Sequence, residues 1–289
     1  MNTNHSTEDS QVKRITKIEN IFNFWQWKFD DTRTIFMANI YDPSKFWVRL
    51  FPIKPFEKHL TEFYQLNKMS LCVKSSDICI GLNCVARISD VYRRSRIVGI
   101  DTQNEITVKI FLYDHGKLVI TPLSNIFHLD QSFYKIPAFA VRAMLTNISS
   151  LDHGMWNQNV VDKFVKYTED KPLLAKIAHV HKQNKIIEIH LIDRSYQNGS
   201  GIITINYFLL RDGLAKLNNQ HPVNNTSEKS EYKPLKERLY LYPTFDALEN
   251  GIVPSRVDIK EELQRHIRLD VLYPDLYKFH QSVAEYVFM

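Results

Sequence analysis

The densest group of side chains that could bind a ligand is the basic run Arg93-Arg94-Ser95-Arg96, with Lys117 a short distance along the chain. Guanidinium groups bind carboxylates and phosphates through paired, charge-assisted hydrogen bonds. A rim of such groups suits an acidic peptide or the phosphate backbone of a nucleic acid. The net charge of +5 permits such a contact without demanding one.

Catalytic and metal-binding patterns are weaker. His179 and His181 would lie on the same face of a strand, an arrangement that metals sometimes use, but no cysteine or carboxylate lies near them in sequence. Two ordinary surface histidines are therefore favoured over a metal site. Asp152 and His153 lack the context of a nucleophile elbow. The residues predict no catalysis, no metal and no cofactor.

Composition narrows the class of protein. Hydrophobic residues make up 44% and charged residues 24% of the 289 residues, which is ordinary for a globular protein with a real core. Only eight glycines are present, and neither of the glycine-rich phosphate-binding motifs occurs. Nucleotide-binding folds that depend on such loops are disfavoured.

The compartment predicted from the sequence is the cytoplasm. No stretch approaches the roughly 18 apolar residues of a membrane span, and residues 1–14 lack the apolar core of a signal peptide. The three cysteines form no CxxC pair. An odd number of thiols without metal-site spacing is typical of reduced cytosolic cysteines.

The basic run lies inside a predicted antiparallel meander over residues 84–129. Residues 105–112 alternate apolar and polar side chains, with Ile106, Val108, Ile110 and Leu112 at a period of two, the pattern of a half-buried strand. Polar turns at residues 101–104 and 114–117 flank this strand.

Flanking elements follow from similar patterns. Apolar spacing and turn residues predict strands at 35–40, 46–51, 174–180 and 185–192, and helices at 54–69, 157–168, 204–216, 254–269 and 275–288. The aromatic-rich residues 21–29 are predicted to cover the body of the protein, because exposed aromatic patches of this size are rare.

Several motifs resemble those of a Tudor domain. The matching pieces are Arg93-Arg94-Ser95, then Leu112-Tyr113-Asp114-His115-Gly116-Lys117, then Ile120-Thr121-Pro122-Leu123-Ser124-Asn125-Ile126. A preceding Pro43-Ser44-Lys45-Phe46-Trp47-Val48 and a following segment at residues 136–145 resemble the extended form of the domain. In that form the Tudor barrel is inserted into a staphylococcal-nuclease-like barrel, whose second half resembles Leu191-Ile192-Asp193, Ile205-Asn206 and Gly213-Leu214-Ala215.

The resemblance implies a mixed β/α fold, with a Tudor β-barrel inserted into a split nuclease-like (OB-type) β-barrel with helices. The predicted organisation is a disordered N-terminus (1–20), an aromatic-rich lead-in (21–34), the nuclease-like subdomain (35–70 and 170–217), the Tudor barrel with its following segment (71–150), a connecting helix (151–169), a polar linker (218–233) and a helical C-terminal extension (234–289).

Tudor domains of this class hold a methylated arginine in a cage of four aromatic side chains with an asparagine at its rim. Carried over by position, the cage falls at Ile88, Arg93, Leu112 and His115, with Lys117 at the rim. None of the four is Phe, Tyr or Trp, so the resemblance implies a degenerate cage.

The register of the central strand affects this assignment. If Tyr92 took the place of Arg93, one aromatic side chain would return to the cage. The Arg93 register is preferred because it turns Ser95, Ile97 and Gly99 inward, whereas the alternative would bury Arg94 and Arg96. Tyr113 is then predicted to point to the face opposite the cage.

Three ligand hypotheses remain open for the barrel. It is a pure scaffold, or its rim of Arg93, Arg94, Arg96 and Lys117 binds an acidic peptide or RNA, or the groove between the subdomains binds an unmethylated arginine-rich tail through Asp114. Tyr92 and Tyr113 are further candidate contacts. Arg142 is predicted to form an ion pair between the subdomains with Asp114.

The nuclease-like half invites an enzymatic hypothesis, but Asp193, Arg194 and Arg211 are isolated in sequence and extended Tudor domains as a family have lost nuclease chemistry. The resemblance therefore implies a non-catalytic adaptor in germline small-RNA silencing. Its expected partner is the arginine-rich tail of a Piwi-class Argonaute or another Tudor protein, in perinuclear germ granules of the cytoplasm. An RNA-binding module is the alternative, and no membrane contact is expected.

Overall fold

The structure of the protein, a computed structural model, describes residues 27–151, 156–196, 203–218 and 243–252. The strands are β1 (Thr32–Asp42), β2 (Lys45–Arg49), β3 (Asn83–Ile88), β4 (Val91–Asp101), β5 (Thr107–Leu112), β6 (Lys117–Pro122), β7 (Ile126–His128), β8 (Val141–Leu145), β9 (Ile148–Ser149), β10 (Leu173–His181), β11 (Ile186–Ile192) and β12 (Lys216–Leu217). The α-helices are α1 (Lys54–Leu71), α2 (Gln131–Tyr134), α3 (Gln158–Thr168), α4 (Ile205–Arg211) and α5 (Phe245–Glu249). Predictions at residues 1–20, 219–233, 254–269 and 275–288 lie outside these ranges.

Five strands form a closed barrel in the order β1-β10-β11-β8-β2. The β8–β11 pair is parallel, and the other pairings that the register shows within the barrel are antiparallel. Its core holds alternating apolar side chains such as Ile187, Ile189 and Leu191, which share one face of β11. Trp27, from the aromatic-rich segment, is buried in the same core.

The remaining large sheet has the order β6-β5-β4-β3-β7 and comes from the chain between β2 and β8. Strands β3 and β4 meet at a two-residue turn, Ser89-Asp90, where both residues have positive φ. This is the hairpin geometry that matches strand twist. The strand order therefore confirms a mixed β/α fold in which one sheet is inserted between the strands of a barrel.

Both faces of the inserted sheet are covered. Its inner face buries one apolar cluster that includes Ile97, Ile110 and Leu112. Its outer face packs against α1, where Leu60 and Tyr64 are fully buried, and Tyr64 stacks on Tyr92 with ring centroids 5.5 Å apart. The helix predicted at residues 54–69 is thus present and extends to Leu71.

Helices α3 and α4 close one side of the closed barrel. Asn157 and Thr204 cap them by accepting hydrogen bonds from the amides of Val160 and Tyr207. The prediction that α4 extends to residue 216 was wrong. The helix ends at Arg211 because Gly213 takes a left-handed φ of +65°, and the chain then enters β12.

Helix α5 lies within the predicted helical C-terminal extension, but no individual helix was predicted at residues 245–249. Thr244 caps it by accepting a hydrogen bond from the Ala247 amide, and the helix lies against both the barrel and the inserted sheet. In the part of the chain covered by the structure, no helix combines the length and the apolarity needed to cross a membrane.

Candidate binding site

Two of the predicted cage positions, Arg93 and His115, meet at a carboxylate that belongs to helix α1. Arg93 donates from Nε to Oε1 of Glu57 at 2.7 Å, and His115 Nε2 lies 2.8 Å from the same oxygen. Arg93 also donates from Nη1 to the Ile88 carbonyl at 3.3 Å. Arg49 Nη1 lies 3.5 Å from Nδ1 of His115. We call Arg49, Glu57, Arg93 and His115 the Glu57 cluster.

The Glu57 cluster is mostly shielded from water. The side chains of Arg93, His115 and Glu57 are 21%, 19% and 13% exposed. Burial by itself would raise the pKa of Glu57, but hydrogen bonds from His115 and Arg93 outweigh it and hold the pKa below its ordinary value. The folded state therefore stabilises the ionised carboxylate.

Arg49 is the least satisfied member of the Glu57 cluster. Burial lowers the pKa of its guanidinium, opposed by the charges of Glu57 and Asp114. Its Nη1 reaches the Asp114 carbonyl at 3.4 Å, but its buried Nε has no hydrogen-bond partner among the residues described. Arg93 thus binds the Glu57 carboxylate directly, whereas Arg49 contacts His115 and interacts with that carboxylate through its charge.

The other cage positions present no aromatic surface either. Leu112 is 3% exposed and points into the core of the inserted sheet, while Ile88 is half-buried at the end of β3. Lys117 is exposed at the start of β6. A cationic guest at this place would meet Arg93 and His115 rather than the faces of aromatic rings.

The prediction that Arg94 lies on an exposed basic rim was wrong. Arg94 is fully buried and forms a two-point ion pair with Asp114, from Nε to Oδ2 at 2.9 Å and from Nη2 to Oδ1 at 2.6 Å. Its remaining donors reach the carbonyls of Phe133, Ile136 and Pro137. The guanidinium also lies 4.7 Å from the centroid of the Phe56 ring.

The error has a physical cause. The prediction assumed one buried and one solvated face for β4, so an inward Ser95 and Ile97 implied an outward Arg94. Ser95 and Ile97 are indeed fully buried. Because α1 and the segment after α2 cover the other face, Arg94 is buried as well, with all its donors engaged.

The predicted ion pair between Arg142 and Asp114 was also wrong. Asp114 is taken by Arg94 and also accepts from the Phe139 amide at 3.0 Å. Arg142 instead binds helix α5, with Nε 2.8 Å from Oε1 of Glu249 and Nη2 2.5 Å from Oδ1 of Asp246. The sequence assigned Arg142 a bridging role but no signal pointed to α5.

The basic rim does not assemble as predicted. Arg93 and Arg94 are held by Glu57 and Asp114, and Arg96 donates from Nη2 to Oδ1 of Asn250 at 2.8 Å. Tyr92 and Tyr113, proposed as further contacts, are both buried on the outer face of the sheet. The hydroxyl of Tyr113 donates to Oδ1 of Asn83.

The weaker candidates from the sequence are engaged in ordinary pairs. His181 Nε2 contacts the buried carboxylate of Glu188, and the ring of His179 lies 4.4 Å from that of His181. Asp193 pairs with Lys171 and accepts a hydrogen bond from the Ser195 amide. The ranges that the structure covers contain no group of three or more side chains suited to hold a metal ion.

Sequence reasoning missed Glu57 and Arg49, which both precede the inserted sheet in the chain. Glu57 lies in the first turn of α1, where acidic residues are common for reasons unrelated to binding. Arg49 ends β2 without any surrounding motif. Glu57 and Arg49 come together only in the folded chain, where His115 of the turn after β5 contacts both of them. Arg93 of β4 also binds Glu57 there.

Comparison with known proteins agrees with this geometry. The family model of the Tudor domain matches residues 28–147. Human Tudor domain-containing protein 6 is 27% identical over 169 residues, which cover 56% of this chain. The match covers 8% of that relative's length.

Solved structures match the fold. The human TDRD1 extended Tudor domain, in complex with a symmetrically dimethylated peptide, aligns with a TM-score of 0.58 at 18% identity, covering 66% of this chain and 93% of that one. The Drosophila melanogaster Papi extended Tudor domain aligns with a TM-score of 0.58 at 18% identity, covering 65% and 99%. Residues 28–147 thus match the Tudor domain family, and the fold of the chain is that of extended Tudor domains.

Proposed function

We propose that this chain is a non-catalytic adaptor module of the extended Tudor type that binds a protein partner without selecting for methylated arginine. The partner class that fits best is the arginine-rich tail of a Piwi-class Argonaute or another granule component. The proposed setting is germline small-RNA silencing in perinuclear granules of the cytoplasm. The proposal needs no cofactor.

One observation carries the proposal: the Glu57 cluster stands where the family resemblance places the cage. A methylated guanidinium is held by cation–π attraction, at about 0.5–2 kcal/mol for each good contact. The loss of three or four such contacts weakens binding by about tenfold at the low end of that range and by well over about 100-fold in its middle. Arg93, which takes one cage position, already pairs with the Glu57 carboxylate, so that carboxylate is not free to bind a cationic guest.

Relatives support binding of a peptide independently of methylation. A variant of the Drosophila Papi extended Tudor domain was solved with a Piwi N-terminal peptide in an unmethylated form and also in a symmetrically dimethylated form. These two structures match this chain with TM-scores of 0.57 and 0.56. Extended Tudor folds therefore accommodate tails that lack the modification, which is the case we propose here.

The absence of catalysis is part of the proposal. In the nuclease-like barrel, the carboxylates of Asp193 and Glu188 are held by Lys171 and His181. Phosphodiester cleavage requires carboxylates and arginines that converge on one reactive phosphate. Arg211 contacts its neighbour Asp212 instead.

The proposal is tested by affinity capture from gonad extract with the purified full chain, with and without RNase treatment of the extract. We expect a Piwi-class Argonaute or a granule protein in the eluate, unchanged by RNase, and direct binding of its recombinant unmethylated tail. Recovery that disappears after RNase treatment would favour the RNA-binding alternative. Recovery of neither class of protein would contradict the adaptor role.

A further inference from the structure

Helix α5 joins two parts of the fold that are distant from it in sequence. It lies on β2 and β8 of the closed barrel, and the residues directly after it lie on β4 and β5 of the inserted sheet. Residues 219–242, outside the described ranges, connect it to β12. The surface beneath α5 is therefore covered by a segment that is distant from it in sequence.

The centre of this contact is apolar. Phe245, Ala247 and Leu248 are buried against Tyr41 and Trp47. The Phe245 ring meets Trp47 edge-on, with ring centroids 5.1 Å apart. Edge-to-face aromatic pairs of this kind stabilise a contact beyond the area that they bury.

Acidic side chains of α5 meet a single arginine at the edge of that apolar contact. Arg142 donates from Nε and Nη2 to the two oxygens of Glu249 at 2.8 and 2.7 Å, and also reaches Asp246. Trp47 donates from its indole Nε1 to Oε1 of Glu249 at 3.1 Å. With Arg142 only 15% exposed and Glu249 10% exposed, this is a largely desolvated, two-point recognition of a carboxylate.

The far end of the segment docks on the inserted sheet. Arg96 donates to the side chain of Asn250, and Lys109 donates from Nζ to the Gly251 carbonyl at 3.2 Å. Gly251 has a φ of +66°, and a Cβ added there would lie 2.9 Å from Cδ of Lys109. The receiving surface is therefore basic at both ends and aromatic in the middle.

The helix itself is too short to persist without that surface. It has five residues, and isolated helices below about 12–15 residues are marginal in water. The helical form of α5 therefore depends on docking. The affinity of α5 for its surface within the chain depends on the effective concentration that the connecting segment provides. A second molecule with the same side chains can compete for the surface.

We propose that the surface formed by Tyr41, Trp47, Arg96, Lys109 and Arg142 is a docking site for short acidic helices, which α5 occupies in the free protein. The partner is a separate protein whose helix carries an aromatic residue at its first position, carboxylates at the second and fifth, and an aliphatic residue at the fourth. Displacement of α5 exposes this site and removes one of the contacts that join the sheet to the barrel. No member of the Glu57 cluster takes part, so the inference stands apart from the proposed function.

The test uses the full chain and a fluorescein-labelled synthetic peptide with the sequence of residues 243–252. An opened variant, Phe245→Ala with Glu249→Gln, weakens the contact of the chain's own helix and leaves the receiving surface intact. Fluorescence anisotropy is expected to show that the opened variant binds the peptide at least about tenfold more tightly than the wild type, a difference of about 1.4 kcal/mol.

Two controls make the result specific. Arg142→Gln added to the opened variant should abolish binding, as should the same two substitutions made in the peptide. Glu249→Gln alone keeps Phe245 in place and should give an intermediate affinity, which serves if the double variant folds poorly. Equal affinities of wild type and folded opened variants, or binding that survives Arg142→Gln, would overturn the proposal. If analytical ultracentrifugation showed that the wild-type chain forms dimers, the displacing helix would come from a second copy of this chain. That result would overturn the proposal of a separate partner protein.

Discussion

Arg93 and Arg94 are neighbours in β4, yet they point to opposite faces of the sheet and do different work. Arg94 is part of the buried framework, where it binds Asp114 and three backbone carbonyls. Arg93 lies near the start of the same strand and binds Glu57. Both guanidinium groups are therefore paired with carboxylates of the same chain, which bears directly on what ligand each could bind.

Asp114→Asn should be among the most damaging single substitutions. The change keeps the shape of the side chain but leaves the Arg94 guanidinium, which is fully buried, without its counter-charge. Removing one partner of a buried ion pair typically costs about 3–5 kcal/mol. Urea unfolding followed by circular dichroism measures the loss.

Lys117→Gln is the matched control, because Lys117 is exposed and close to Asp114 in sequence. Its effect on the free energy of unfolding should stay within about 0.5 kcal/mol. If Asp114→Asn cost less than about 1 kcal/mol, the buried ion pair would not have the structural role assigned to it.

Glu57 should make stability depend on pH. Its pKa is lower in the folded than in the unfolded state, so its contribution is complete above the unfolded carboxyl pKa of about 4.3 and is lost as the pH falls through the folded pKa. The wild type should therefore exceed Glu57→Gln in free energy of unfolding at pH 7, and the difference should shrink on acidification to about pH 3.

Glu62→Gln provides the comparison on the same helix. The Glu62 side chain is 60% exposed and its contact with Lys58 is 3.9 Å long. Such exposed pairs contribute little to stability, so this variant should show a flat difference from the wild type across the same pH range. A flat difference for Glu57→Gln as well would contradict the Glu57 cluster.

The residue scale is also where the sequence was least informative. The positions Ile88, Arg93, Leu112, His115 and Lys117 were found through a resemblance, and the sequence shows plainly that none of them is Phe, Tyr or Trp. What they contact instead was not predictable, because Glu57 and Arg49 come from distant elements and neither belongs to a motif. The burial of Arg94 was missed because period-two patterning does not reveal that both faces of a strand are covered.

At the scale of elements, the turn between β5 and β6 fixes the relation of the sheet to the barrel. Gly116 in this turn has a φ of +65°, and Asn39 of β1 donates from Nδ2 to its carbonyl at 2.7 Å. A Cβ at Gly116 would overlap the side chain of Trp47 in β2. The turn thus rests directly on the barrel, next to His115 of the Glu57 cluster.

Gly116→Ala should therefore be costly for two reasons, the left-handed backbone and the overlap with Trp47. The first alone is worth about 1–2 kcal/mol. Gly213→Ala is a matched control, because Gly213 has the same φ of +65° and no atom within 4 Å of an added Cβ. In thermal unfolding, the Gly116 variant should lose clearly more stability than the Gly213 variant. Equal losses would show that the close approach to Trp47 is not a constraint.

Element positions were the most predictable part of the fold. The alternation of Val108, Ile110 and Leu112 and the helical spacing of Phe56, Leu60 and Phe63 both mark elements that the structure contains. These signals are local, since they record which face of one element is buried. Helix α5 gave no such signal because its five residues are too few for a periodic pattern, and its stability comes from the surface on which it docks.

At the scale of the whole molecule, a closed barrel and an inserted sheet are joined by charged and aromatic contacts rather than by one continuous core. The apolar clusters of the two parts are separate, and α1, the turn at Gly116 and α5 bridge them. The Glu57 cluster lies among these bridges and includes two positions, Arg93 and His115, where the resemblance predicts the cage. This arrangement supports the proposal that the chain shares the extended Tudor fold but does not select for methylated arginine.

The proposal that this chain does not select for methylated arginine is tested most directly by a calorimetric titration of the full chain with one arginine-rich Piwi-type peptide in unmethylated and symmetrically dimethylated forms. The TDRD1 extended Tudor domain, which was crystallised with a dimethylated peptide, is the positive control. We predict that this chain binds both forms with dissociation constants within about threefold of each other, or less than about 1 kcal/mol. A preference of about tenfold or more for the dimethylated form, worth about 1.4 kcal/mol, would contradict that prediction.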